Sequence, residues 1–161
     1  MGFYEETGIL ILGTRLKRLS ERFLSEVGKI YEKLDISFEP AWFPLFFLLH
    51  KKGSLSVTEI ADELNVSQPG ASQIVSLLNR KGLVAMEADS FDRRRKIVSF
   101  TSEGEELLSE LIPVWKTLES SMFELFHDGS EGFDVVRSFN QLEQKLNKFS
   151  FGDSVLDKLK M

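Results

Sequence analysis

"LSVTEIADELNVSQPGASQIVSLLNRKGLV" occupies residues 55–84, and its punctuation is that of two short helices meeting at a corner. Residues 58–64 read as a short helix with Ile60, Ala61 and Leu64 on its inward face. Asn65 then stands where a tight corner needs one residue of positive φ, which Gly and Asn accept most readily. Ser67 suits the N-cap of a second helix, because its hydroxyl accepts from an otherwise unpaired amide, and Pro69 suits the first turn, where no amide donor is needed. Ala71, Ile74, Val75 and Leu78 form the inward face of that second helix. Ala61 and Ala71 are small where the two helices must pack closely.

The outward face is unusual. It consists of Gln68, Gly70, Ser72, Gln73, Ser76 and Asn79, with no charge before Arg80. An ordinary solvated face is rich in Glu and Lys. Amides and hydroxyls instead donate and accept at base edges without placing a carboxylate beside phosphate. The segment therefore predicts a helix-turn-helix, with Ser67, Gln68, Pro69, Gly70, Ser72, Gln73 and Ser76 on a recognition helix and Arg80 at its end.

Two short β-prone runs follow, at residues 83–88 and 97–100, separated by the turn-like "DSFDRRRK". A two-stranded ribbon places Arg93, Arg94, Arg95 and Lys96 at the tip of a wing, where arginine enters a minor groove and the flanks meet phosphate. Asp92 is expected to orient a neighbouring arginine through a charge-assisted hydrogen bond. The charge distribution agrees. Residues 67–100 hold six basic and three acidic residues, whereas the rest of this chain of net charge −5 holds 14 basic and 22 acidic ones. A basic segment on an acidic body presents one face to phosphate.

Outward from this unit lie long amphipathic helices. Between residues 12 and 34, apolar side chains at 12, 16, 19, 23, 27, 30 and 34 draw one helical stripe. Phe38, Glu39 and Pro40 break it, residues 41–52 read as a second helix, and Gly53 ends that helix. Thr101 opens a further helix, in whose first turn Gly104 is tolerated, with a stripe through Leu107, Leu111, Trp115, Leu118, Met122 and Leu125. After a break at "HDGSEG", Val135, Phe139, Leu142, Leu146 and Phe149 mark a last helix, and the tail beyond Ser150 carries little signal. The expected order is α-α-α-α-β-β-α-α.

The stretch "TEIADELNVSQPGASQIVSLLNRKGLV" with "DSFDRRRKIVSFTSEGEELL" resembles the MarR family of bacterial winged-helix transcriptional regulators. Asp92, Arg94, Thr101 and Gly104 match the family's Asp-x-Arg wing and the Thr-x-x-Gly that closes the following β-run. The likeness is strongest over residues 55–108. It implies a mainly α fold with a small β-ribbon wing, in one domain over residues 1–161. Its winged helix-turn-helix core lies at about 41–100, and its dimerisation helices at about 7–36 and 101–149. It further implies a homodimer bound to a pseudo-palindromic double-stranded operator, with repression relieved by a small lipophilic or phenolic effector. Many relatives carry arginine in mid-recognition helix where this chain has Gln73, so the operator sequence does not carry over.

Two half-sites about one DNA turn, roughly 34 Å, apart require two recognition helices, which the surplus apolar stripes at both ends of the chain supply by pairing. For the effector, the resemblance points to the junction of the first two helices, with Trp42, Phe46 and His50 as candidate pocket residues. No cysteine is present, His50 and His127 are isolated, and no phosphate loop or nucleophile elbow occurs, so no cofactor, metal or enzymatic activity is expected. The longest apolar run, residues 41–49, is too short to span a bilayer, and the expected location is the cytoplasm. The other reading is a winged-helix module that binds protein, favoured by the acidic total charge and Gln73 and opposed by the basic run of Arg93 to Lys96.

Overall fold

A computed structural model describes residues 2–89, 92, 95–126 and 134–160. Its elements are α1 (Phe3–Glu6), a 3-10 turn (Gly8–Ile11), α2 (Leu12–Lys33), a second 3-10 turn (Pro40–Trp42) and α3 (Phe43–Lys52). Then come β1 (Leu55–Ser56), α4 (Val57–Leu64), α5 (Gln68–Arg80), β2 (Val84–Ala88), β3 (Lys96–Phe100), α6 (Ser102–Phe126), α7 (Val135–Lys148) and α8 (Phe151–Leu159). The chain forms two compact units, Met1–Ile112 and Pro113–Met161, so that the division falls within α6 at a proline that has no amide to donate to the helix.

In the first unit the three strands form one antiparallel sheet in the order β1-β3-β2. Val84 faces Phe100, Met86 faces Val98, and Leu55 faces Val98 from the other side, which puts one apolar row on one face of the sheet. Val84 and Val98 are fully buried there, with Ile60, Ala61, Ala71, Val75, Leu78 and Leu111. Aromatic rings continue this core. Phe38 meets Tyr31, Trp42 and Phe46 edge-on at centroid distances of 5.2, 5.6 and 5.0 Å, and Phe46 reaches Phe100 at 5.0 Å.

The fold class is the one expected, mainly helical with a small antiparallel sheet. Three elements were not anticipated. β1 is only two residues long, too short for a periodic signal, and it adds a third strand to the ribbon. α1 is a single turn at the N-terminus. α8 occupies the tail that sequence reading treats as uninformative, and its N-cap Ser150 accepts from the Asp153 amide at 3.4 Å. Gly104 also has a stronger role than tolerance. It is buried at the start of α6, and a Cβ there would lie 2.0 Å from the Leu83 carbonyl oxygen.

The predicted stripe of α2 is apolar but poorly covered. Tyr31 is the only buried residue of α2, while Leu19, Phe23 and Leu34 are exposed. In the second unit neither α7 nor α8 buries any residue, and Phe139, Leu146, Phe149, Phe151, Leu156 and Leu159 are all exposed.

Candidate nucleic-acid interface

The corner between α4 and α5 is built as its residue types require. Ser56 caps α4, its hydroxyl accepting from the Glu59 amide at 3.3 Å, while Glu59 Oε2 accepts from the Ser56 amide at 2.8 Å and the Ser56 hydroxyl at 2.6 Å. Asn65 ends α4 in the left-handed region, at φ 51° and ψ 45°, and Val66 N donates to Ala61 O at 3.0 Å. Ser67 then caps α5 by accepting from the Gly70 amide at 3.2 Å, with Pro69 in the first turn. Gly82, at φ 74°, lets the chain turn from α5 into β2.

With Ala71, Val75 and Leu78 buried, α5 turns the expected residues outward. Pro69, Ser72, Gln73, Asn79 and Arg80 are exposed, whereas Gly70 and Ser76 are half-buried. Ser67 and Gln68 are exposed but engaged. The first is the cap, and the second donates from Nε2 to Thr58 Oγ1 at 3.1 Å, which steadies α5 against α4. The free polar face is thus centred on Ser72, Gln73 and Asn79, and it is uncharged up to Arg80.

Beyond the last β2–β3 pair, Ala88 with Lys96, the ribbon narrows through Asp89 N donating to Arg95 O at 3.0 Å and Arg95 N donating to Asp92 O at 2.8 Å. Arg93 and Arg94, the expected groove contacts, lie outside the described residues, as does any contact of Asp92 with them. Lys96 is exposed in the last ladder pair, at the tip end of the ribbon. Arg95 does something that sequence reading missed: its guanidinium Nη2 lies 3.1 Å from Glu59 Oε2 and 3.3 Å from Ser56 Oγ. The Ser56-x-x-Glu59 pattern was a legible capping signal, but nothing local announces its arginine partner 39 residues from Ser56. Donation from the Ser56 hydroxyl, then from its amide, holds the Glu59 carboxyl below its ordinary range, and Arg95 adds to this.

The three candidate pocket residues fare differently. Phe46 is completely buried in the aromatic core, and Trp42 is 2% exposed, its ring covered by the Lys81 ammonium 4.9 Å from the centroid. Trp42 Nε1 is buried without a hydrogen-bond partner. His50 is exposed at the end of α3, beside the Phe47 ring at 6.3 Å. Among the described residues there is no group of three or more His, Cys, Asp or Glu side chains placed to hold a metal ion. No helix among them is long and apolar enough to cross a membrane.

Two helices joined at a capped, left-handed corner and followed by an antiparallel ribbon define a winged helix-turn-helix protein. Residues 36–95 match the model of the MarR family. The transcriptional repressor MdtR of Bacillus subtilis (strain 168) is 30% identical over 97 residues, which cover 60% of this chain and 61% of MdtR. The chain thus spans less than two thirds of the length of that relative. Among solved structures, the transcriptional regulator BldR from Sulfolobus solfataricus superposes with a TM-score of 0.61 at 23% identity, covering 92% of this chain and all of BldR. MepR of S. aureus, solved as a complex with DNA, gives 0.63 at 20% identity over 84% of this chain and 93% of MepR. Over residues 36–95 the chain is thus similar to the MarR family, and it shares the fold of these solved regulators.

Proposed function

We propose that this chain is a sequence-specific, double-stranded DNA-binding transcriptional regulator that acts in the cytoplasm as a homodimer and as a ligand-responsive repressor. The observation that carries the reading is the uncharged amide and hydroxyl face of α5, held outward by a capped corner beside a basic ribbon. Ser72 and Gln73 read base edges in the major groove, with Gln73 suited to adenine, while Ser67, Gln68, Pro69, Gly70 and Ser76 shape the entry of the helix. Arg80, Arg93 and Lys96 contact phosphate, and Arg94, oriented by Asp92, enters the minor groove. The MarR family, a repressor as curated relative and a structural neighbour bound to DNA all support this assignment.

The exposed apolar stripes of α2, α7 and α8 support pairing through both ends of the chain. Support for an effector comes from Trp42. A buried indole N–H with no acceptor costs about 1–3 kcal/mol, which a phenolic or carbonyl oxygen placed against it would recover. No enzymatic activity is proposed, since the family is one of regulators and the polar face of α5 is explained by recognition.

Selection from a random duplex library tests the reading. The expected product is an enriched pseudo-palindrome with half-site centres about 10 base pairs apart. Rounds of selection that enrich no sequence would overturn it in favour of a winged helix that binds protein.

A further inference from the structure

Four consecutive cations, Arg93 to Lys96, suggest four equivalent DNA contacts. The third of them is already committed. Arg95 Nη2 bonds both Glu59 Oε2, at 3.1 Å, and Ser56 Oγ, at 3.3 Å. That carboxylate oxygen also takes the Ser56 amide and hydroxyl, so three donors converge on it. Ser56 itself is buried in β1, where it pairs with Ile97 of β3, and it caps α4. The network therefore ties the tip end of the ribbon, just beyond the Ala88–Lys96 pair, to the first helix of the helix-turn-helix at a single point.

We propose that Arg95 is a positioning residue rather than a DNA contact: it anchors the ribbon to the N-cap of α4 and cancels the charge of Glu59. This rests on the DNA-binding reading above. The anchor holds the start of β3 against α4, and it leaves the ribbon with one cation fewer for phosphate than its sequence shows. Arginine suits the task because Nη2 carries two N–H bonds in a fixed plane that reach the carboxylate and the hydroxyl together, whereas lysine offers a freely rotating point charge.

The test has one arm without DNA. Amide hydrogen exchange on the free, full-length protein should speed up several-fold across residues 84–100 in Arg95→Ala and partly so in Arg95→Lys. Glu59→Gln keeps a capping side chain and should produce the same loosening, and the double variant should exchange no faster than either single one. Unchanged exchange in Arg95→Ala, or additive effects in the double variant, would overturn the anchor.

The second arm uses a duplex recovered from the random library, titrated between 50 and 300 mM salt, roughly the range over which counterion release is legible. Arg95→Ala should weaken binding about tenfold at every salt concentration, with the dependence of log K on log salt unchanged. A slope shallower by about one unit per protomer would mark Arg95 as a phosphate contact and overturn the proposal. Failure of the wild-type protein to bind any duplex would refute the DNA-binding reading alone, since exchange still decides the anchor.

Discussion

Gly104 and Asn65 differ in how their demands arise. Asn65 must adopt φ 51°, a local requirement that the residue type announces. Asn65→Ala is expected to cost roughly 1–2 kcal/mol, the left-handed penalty, and Asn65→Gly to be close to neutral, by urea denaturation. Equal midpoints for the Ala and Gly variants would show that the corner does not impose the conformation. Gly104 answers a distant neighbour. Its missing Cβ leaves room for the Leu83 carbonyl, and because that atom is backbone, no side-chain rotation relieves the 2.0 Å approach. Gly104→Ala should therefore destabilise by about 1–3 kcal/mol or more, and a wild-type urea midpoint would contradict the close packing. Sequence reading located Asn65 and Ser67 correctly because capping and φ are properties of one or two residues. It undervalued Gly104 because a steric limit set by Leu83 is invisible until α6 is folded against β2.

Helices and strands show the same division. The two faces of α5 were legible from period and polarity alone, and Ala71, Val75 and Leu78 are buried as that pattern requires. The pairing of β1 with β3 was not, since two residues carry no alternation and the register depends on a partner 41 to 43 positions away. The chemistry of α4 lies between these cases. Its capping box holds the Glu59 carboxyl below the ordinary value of 4.5, so the stabilisation it brings is complete above that pH and is lost as pH falls through the depressed folded value. Glu59→Gln removes the titration. The stability gap between wild type and Glu59→Gln, followed by thermal melts, should be widest near neutrality and should close as the pH drops below 4.5. A gap that is constant from pH 7 to about pH 3 would mean that the carboxylate charge contributes nothing there.

For the molecule as a whole, composition and topology pull in opposite directions until charge is resolved along the chain. A net charge of −5 argues against nucleic acid, yet the segment from α5 through β3 holds six basic residues to three acidic ones. The long outer helices were legible as amphipathic, but sequence alone does not say what covers their stripes. Exposure of Leu19 and Phe23 on α2, and of Phe139 and Leu146 on α7, directs that apolar surface to a second copy under the proposed assembly. Sedimentation equilibrium at micromolar concentration should return twice the 18.4 kDa chain mass, and the variant carrying Phe139→Glu with Leu146→Glu should shift toward a single chain. A monomeric wild type would remove the two-fold arrangement of recognition helices.

The proposal that α5 reads a specific DNA sequence is tested most directly by fluorescence anisotropy near 0.15 M salt, comparing the selected duplex with a scrambled one of equal length. Binding at least a thousandfold tighter to the selected duplex, and weakened in Gln73→Ala by roughly 1–3 kcal/mol, is the expected result. Equal, weak affinity for both duplexes, unaltered in Gln73→Ala, would contradict it.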